Sequence, residues 1–430
     1  MNEVIEYKDE YGVIYLTSFN TNVEVVLNNL YGMIAPIDYS DIKDNDVFLT
    51  QVQTIELLSS MEKKKHFQAV KNIDKLSSMQ IKNPDAEILN KALKLQSEYK
   101  YREAHFEYRN LLSINPKNRL VFFAIHMLEF NLGWQKEMVD TSRMIVNYLD
   151  NRDYYFGFAK GIESFSLIEN GYFEEGKESA DIALKINSND VYAIHAVCHY
   201  FYETGQYAEG IHWMEKVITN WRFNQGMRIH IWWHLAIFHL INLNFEKVEM
   251  ILRDQVMIKN KEDGLEDLDA TALIWRLYLL DANNSLYYKA LDNWEYYLDE
   301  SHFIFNDLHA LMAYILKNDN QKINAYFEKV INRKSNKLTI NQLDLLYGFY
   351  YYGQRKYTES SEKLSLCIND SSFGGSNAQR DVIALTLFFA FLNSNNVEKA
   401  EELLYSDRAF KHKSKMKELL LKKLGVKNYV

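Results

Sequence analysis

The chain has 430 residues, 47% of them hydrophobic and 14% aromatic, with only three prolines, so it can bury a large core and leave helix interiors unbroken. Its net charge of −9 argues against nucleic acid as the main partner. The two cysteines, Cys198 and Cys367, are too few for a disulfide framework or a cysteine-based zinc site. A mainly helical protein is therefore predicted.

The chain shows no targeting or membrane signal. The N-terminal stretch MNEVIEYKDEYG is acidic and lacks the apolar segment of a signal peptide. The longest apolar run, residues 382–392, is too short to cross a bilayer. These features predict a cytoplasmic protein without a membrane partner.

An internal repeat organises the chain after residues 1–90, which we expect to form an N-terminal helical cap. Gly171 and Gly205 are 34 positions apart, and the same offset relates two aromatic residues and two further glycines. This is the period of the tetratricopeptide repeat, a pair of helices joined by a turn. Second helices of further units are indicated around Tyr101, Phe245, Asn320, Tyr357 and Val397.

These units predict an all-α, tetratricopeptide-like α-solenoid, a right-handed superhelix of helical hairpins. No Gly/Ser-rich or Pro-rich linker interrupts the sequence. The repeat array over residues 91–430 is therefore expected to be continuous with the cap.

Histidines are concentrated on the first helices of two successive units. In this class of repeat the first helix lines a concave groove, and aligning the units there places Tyr192, His195 and His199 on groove positions. The same alignment for RIHIWWHLAIFHL puts His230 and Trp233 on the groove and His234 at its border. Trp232 and His239 are expected to be packing residues. Residues four apart on a helix lie on one face, so each HxxxH pair can act together.

Later first helices carry further polar residues near their starts. Ser376 is expected to cap its helix after Gly374 and Gly375, and a helix N-terminus attracts anions. Because residues at matching depth on stacked first helices converge, one polar pocket is predicted. Its expected lining, besides Tyr192 and Trp233, is His195, His199, His230, His234, Asp269, Asp307, His309, Arg380 and Asp381.

The histidine pairs allow more than one interpretation. For His195 and His199 a polar pair on a wet groove is favoured, because such pairs are common and no Glu completes the HExxH zinc signature. For His230 and His234 a structural role is favoured, with His234 hydrogen-bonded inside a helix interface. A transition-metal site and an acid–base or ligand-contacting role are the alternatives. The sequence predicts no metal and no cofactor, and Cys198 is expected to be a packing residue.

Several segments, taken together and in order, resemble those of the tetratricopeptide repeat protein 38 family. They are TSFNTNVEVVLNNL, AIHAVCHYFYETGQYAEGIHWME, IHIWWHLAIFHL, LDATALIWRL, FNDLHALMA and GGSNAQRDV. The resemblance covers roughly residues 15–405 and implies a soluble helical-repeat protein, but no particular reaction. The family often has His where this chain has Asn377, so an essential imidazole is not expected there.

Two functions remain open. The first is a binding protein that holds a small polar ligand or a peptide or protein segment in the pocket. The second is an enzyme, a hydrolase or group transferase, in which His195, His199 or His230 is the general base. Asp307 or Asp381 would then orient an imidazole, and Arg380 would hold an anionic group. His309 is a further catalytic candidate. Without ligand, Arg380 is expected to pair with Asp307.

Overall fold

The computed structural model describes residues 4–18, 20–37, 39, 46–60, 62–258, 264–282, 291–292, 294 and 303–425. Its contacts group into two compact units, Met1–Ala196 with Asn224–Gly226, and Val197–Phe223 with Met227–Val430. The boundary at residues 196 and 197 lies within one continuous helix. The expected change from cap to repeat array at residue 90 stays a prediction.

The first unit begins with two antiparallel strands, β1 (Val4–Lys8) and β2 (Ile14–Ser18), with Val4 opposite Ser18. Its helices are α1 (Val23–Gly32), α2 (Val47–Ser59), α3 (Lys63–Ser78), α4 (Pro84–Ser97), α5 (Tyr101–Ile114), α6 (Arg119–Asn131), α7 (Gln135–Val146), α8 (Tyr154–Glu169), α9 (Phe173–Ile186) and the first part of α10 (Val191–Glu203). The predicted helical cap did not include these strands.

The hairpin is fixed to the first unit by a buried ion cluster. The guanidinium of Arg119 on α6 bonds Asp9, in the turn between the strands, at 3.0 Å, and Glu24 on α1 at 2.6 and 2.7 Å. Asp9 also accepts the backbone N–H groups of Tyr11 and Val13. One cation therefore connects three elements that are distant in sequence.

The regular secondary structure described for the second unit is helical. After the end of α10 it contains α11 (Tyr207–Lys216), α12 (Ile218–Trp221), α13 (Arg228–Ile241), α14 (Phe245–Ile251), α15 (Gly264–Leu279), α16 (Ile304–Leu316), α17 (Asn320–Ile331), α18 (Ile340–Gly353), α19 (Tyr357–Cys367), α20 (Asn377–Asn393), α21 (Val397–Ser406) and α22 (Lys415–Lys423). A π-helical turn, Leu252–Val256, extends α14, and a 3₁₀ turn, Arg408–Phe410, precedes α22.

The predicted helical-hairpin repeat is confirmed. Second helices begin at the predicted residues: α5 at Tyr101, α9 at Phe173, α11 at Tyr207, α14 at Phe245, α17 at Asn320, α19 at Tyr357 and α21 at Val397. Neighbouring helices of one hairpin pack together, as α8 does with α9 and α18 with α19. The fold class is therefore all-α, built from tetratricopeptide-type hairpins.

The repeated glycines have two distinct physical roles. Gly171 and Gly205 end first helices with φ of +84° and +73°, a backbone conformation that other residues rarely adopt. Gly176 and Gly210 instead allow close helix contact: an added Cβ would lie 2.6 Å from the Ile168 side chain or 2.7 Å from that of Phe238. The 34-residue signal in the sequence thus reflects turn geometry and packing.

Ser376 caps α20 as predicted. Its side chain accepts the backbone N–H of Gln379, and the Gln379 side chain bonds the Ser376 backbone N–H in return. No helix among the described residues has both the length and the apolar character needed to cross a membrane.

Candidate functional site

Helices α13 and α15 pack together in the second unit and form a histidine–carboxylate pair. Nδ1 of His230 lies 3.0 Å from each carboxylate oxygen of Asp269. On its other side the His230 ring stacks on Trp233, with centroids 5.4 Å apart and planes 9° apart. Contacts from a neighbouring helix and from its own helix therefore fix the orientation of this imidazole.

Two further imidazoles of the second unit lie against His230. The ring centroid of His234 is 4.8 Å from that of His230 and 4.5 Å from that of His199 on α10. A ring nitrogen of each of the three lies within 4.8 Å of the others. The prediction that α10 and α13 lie side by side is confirmed by this contact.

His195 lies one turn before His199 on α10 and belongs to the first unit. Its ring stacks on Phe165, also of the first unit, at 5.2 Å. We call His199, His230 and His234 of the second unit the imidazole cluster.

The imidazole cluster is buried, which corrects the expected wet groove. His199, His234 and Trp233 are fully buried, and His195 is nearly so. The His230 side chain retains the most exposure, 17%. Most α13 residues are apolar and buried, so protein covers most of this helix, including much of the side predicted to face a groove.

A buried arginine that was not among the predicted site residues lies next to this region. The Arg276 guanidinium on α15 is 5.5 Å from the Trp233 ring centroid. It donates to the backbone carbonyls of Ala272, Ala378 and Gln379. Burial lowers the pKa of Arg276 from its usual value. No feature of the sequence around Arg276 indicated that this side chain is buried.

Asp307 does not pair with Arg380, so that prediction is wrong. On α16 its carboxylate accepts bonds from Arg333 at 2.8 Å and from the Tyr326 hydroxyl at 3.1 Å. Both partners of the ion pair are buried, with side-chain exposures of 3% and 0%. Asp307 therefore ties α16 to α17 and the turn that follows.

His309 is also engaged within its own helix. Its Nδ1 lies 2.7 Å from the Phe305 carbonyl oxygen, one turn earlier on α16. Burial lowers the pKa of His309 to about 4, so the ring is neutral at physiological pH and donates this bond. The contact is typical of a structural histidine.

Asp381 belongs to a separate polar group around Arg408. It accepts a bond from the Tyr202 hydroxyl at 2.6 Å and another from Arg408, which also bonds Glu203 at 2.9 Å. Tyr202, Asp381 and Arg276 line a cavity of about 20 Å³, which has room for a single water molecule. Asp269 orients the His230 imidazole, whereas the bonds described for Asp307 and Asp381 go to arginine and tyrosine side chains.

Two other predicted site residues have local partners. Arg380 donates to the Asn377 side chain at 2.6 Å and to the Gly375 carbonyl, both at the start of its own helix. Tyr192 is buried in the first unit, where its hydroxyl lies 3.9 Å from the sulfur of Met127 and its ring contacts His126 edge-on. The ligand contacts predicted for both residues stay predictions.

Asp190 anchors the start of α10, the helix that carries two of the imidazoles. Its Oδ1 accepts the backbone N–H of Ala193 at 3.1 Å, and its Oδ2 has no hydrogen-bond partner among the described residues. Burial raises the pKa of this carboxyl from 3.8 to about 7. The Asp190 carboxyl, which caps the start of α10, therefore titrates near neutral pH.

The raised pKa of Asp190 makes stability depend on pH. Between pH 3.8 and about 7 the folded protein keeps a proton that the unfolded chain releases, so stability falls as pH rises through this range. Asp190→Asn keeps a side-chain acceptor for the cap and removes the titration. Between pH 4.5 and 7.5 we expect the free energy of unfolding of wild type to fall by roughly 1–4 kcal/mol relative to that of this variant. Urea unfolding at both pH values measures the difference, and parallel pH profiles would contradict it.

No family model matches the chain, so the resemblance to the tetratricopeptide repeat protein 38 family stays a prediction. Similar solved structures include the APC/C hetero-tetramer Cut9–Hcn1, at 13% identity and a TM-score of 0.45, covering 93% of this chain and 69% of that one. Another is the human IFIT1 dimer with m7Gppp-AAAA, at 13% identity and 0.45, covering 90% and 94%. A third is the P58(IPK) TPR domain, at 12% identity and 0.21, covering 80% and 97%.

Proposed function

We propose that this helical-repeat protein is a binding protein for a small polar ligand, which is held by the imidazoles of His199, His230 and His234. One observation carries the proposal: three imidazoles of one unit, two of them fully buried, converge within 4.8 Å, and the third is oriented by a carboxylate. A buried polar side chain costs free energy that an apolar residue of similar size avoids. A ligand that bonds several imidazoles at once offsets that cost.

The burial of the cluster favours a small ligand over a peptide. A peptide or protein segment needs an open groove along which its backbone can lie. His199 and His234 are fully buried, so they are not available to such a segment. His230 is the most exposed of the cluster and marks the side from which a small molecule or ion enters. Trp233 and Asp269 support the site by holding this ring.

The other polar residues predicted to line the same pocket contribute less to this proposal. Asp307 has Arg333 and Tyr326 as partners, and Asp381 has Tyr202 and Arg408. Each carboxylate is therefore already balanced by a cation and a hydroxyl. Asp307, His309, Arg380 and Asp381 already bond other groups of the protein, so they are not needed as ligand contacts in this proposal. A protein partner elsewhere on the repeats and a cytoplasmic location remain predictions.

Acid–base catalysis is the second candidate function, and the His230–Asp269 pair favours it. A carboxylate that accepts from Nδ1 fixes the tautomer of an imidazole and leaves the Nε2 lone pair as a base. His230 is also the most solvent-exposed member of the imidazole cluster. Hydrolysis or group transfer at this position would use the same small-molecule entry as binding.

Native mass spectrometry of untagged protein tests the proposed function. We expect a species heavier than the polypeptide, whose added mass is lost on denaturation. His199→Ala is expected to lose that mass because it removes an imidazole from the centre of the cluster. His309→Asn is the matched control, since it removes a buried imidazole of the same unit and keeps a donor for the Phe305 carbonyl. Equal retention by His199→Ala and the control would contradict the site.

A further inference from the structure

The chemistry of the imidazole cluster identifies the class of ligand, an inference that rests on the proposed function. We infer that the cluster binds one divalent transition-metal ion through ring nitrogens of His199, His230 and His234. The sequence predicted no metal because it contains neither HExxH nor cysteine ligands, and neither criterion detects two HxxxH pairs on separate helices.

The spacing of the nitrogens is close to what a metal ion requires. One ligand nitrogen from each of the three residues lies within 4.8 Å of the others. Around a tetrahedral zinc ion with Zn–N bonds of about 2.0–2.1 Å, ligand nitrogens are separated by about 3.4 Å. Binding therefore requires the ring nitrogens to approach one another by up to about 1.4 Å, the difference between the two separations.

The donor set selects the class of ion. Neutral imidazoles favour zinc, nickel, copper, cobalt and iron over magnesium and calcium, which prefer oxygen ligands. The described residues whose donor atoms converge here are all histidines, so the site is assigned to nitrogen donors.

Asp269 completes the site as a positioning residue. Metal-binding histidines almost always donate their second ring N–H to a carboxylate, carbonyl or water, which fixes the tautomer and strengthens the ligand. Nδ1 of His230 makes such a bond to Asp269, so Nε2 of His230 carries the lone pair for the ion. The Asp269 charge also offsets part of the charge of an ion in a buried position.

Cobalt and zinc titrations of untagged, chelator-treated protein test this inference. We expect one Co²⁺ per chain, with the intense visible bands of tetrahedral nitrogen coordination, and displacement of Co²⁺ by Zn²⁺. His199→Ala should weaken binding by more than about 100-fold, beyond the loss typical of outer-shell groups. His309→Asn should bind as wild type does.

Two more variants separate ligand loss from misfolding. His230→Asn keeps a donor towards Asp269 and lacks Nε2, so it should fold as wild type does, by circular dichroism, and lose the tetrahedral cobalt spectrum. Asp269→Asn should keep that spectrum and bind Zn²⁺ about 10–100-fold more weakly. Unchanged Zn²⁺ affinity in folded His230→Asn would overturn the metal site.

The outcome also distinguishes failure of the metal site from failure of the proposed function. An organic molecule retained by wild type and lost by His199→Ala, with no Co²⁺ bound at the cluster, overturns the metal inference and leaves small-ligand binding in place. If wild type retains no molecule and binds no metal that depends on the cluster, both proposals are overturned. Stoichiometric metal that His199→Ala loses supports both.

Discussion

Asp307→Ala should destabilise the second unit by roughly 3–5 kcal/mol, because it leaves the charge of Arg333 buried without its carboxylate. The two side chains are 3% and 0% exposed, and their charged atoms are 2.8 Å apart. The change also removes the acceptor of the Tyr326 hydroxyl. Urea unfolding followed by far-ultraviolet circular dichroism measures the loss.

A paired replacement is the control for Asp307→Ala. The double variant Asp307→Leu with Arg333→Met removes both charges and keeps apolar volume, so it should be far more stable than the single variant. Asp307 would instead be a ligand-binding residue if Asp307→Ala folded with wild-type stability and lost the bound ligand.

Arg119→Met should destabilise the first unit by a similar amount, roughly 3 kcal/mol or more, because it leaves the Asp9 carboxylate buried without a cation. The Asp9 side chain is fully buried, and Arg119 also bonds Glu24. Methionine keeps the apolar stem between Tyr11 and Tyr155, whose rings lie 5.2 and 5.9 Å from the guanidinium. Thermal and urea unfolding measure the change.

The Arg119 cluster also contributes a pH dependence with a definite sign. Hydrogen bonding and charge from Arg119 hold the pKa of Glu24 below its usual value of 4.5. Its contribution is therefore present above pH 4.5 and is lost as pH falls through the lowered pKa. Arg119→Met should flatten this acid dependence. The exposed pair Arg152–Asp150 is the matched control, and Arg152→Ala should change stability little. Equal effects of the two substitutions would contradict the assignment.

The repeat could be predicted from sequence because turn and packing requirements fall on single residues. Gly171 and Gly205 occupy turns with positive φ, and Gly176 and Gly210 allow close helix contacts. Those requirements recur every 34 residues and are visible without a structure. The β-hairpin was missed because its strands are only five residues each and are held by Arg119, more than a hundred positions later.

The candidate site was predicted only in part. Helix periodicity aligned His195 with His199 and His230 with His234, and the repeat alignment placed α10 beside α13. Helix periodicity and repeat alignment could not predict burial or ion pairing, because both depend on which elements cover each helix face. Arg333 lies in the turn after α17 and takes the carboxylate that had been assigned to Arg380. Asp269 reaches His230 only because α15 packs on α13.

The central claim is that the imidazole cluster holds a metal ion, and anomalous diffraction from crystals of untagged, zinc-loaded protein tests it most directly. Data collected on the two sides of the zinc absorption edge are expected to show one strong peak per chain, about 2.0–2.1 Å from ring nitrogens of His199, His230 and His234. The peak should be absent from crystals of His199→Ala and present in those of His309→Asn. A cluster without a peak in zinc-loaded wild-type crystals would contradict the claim.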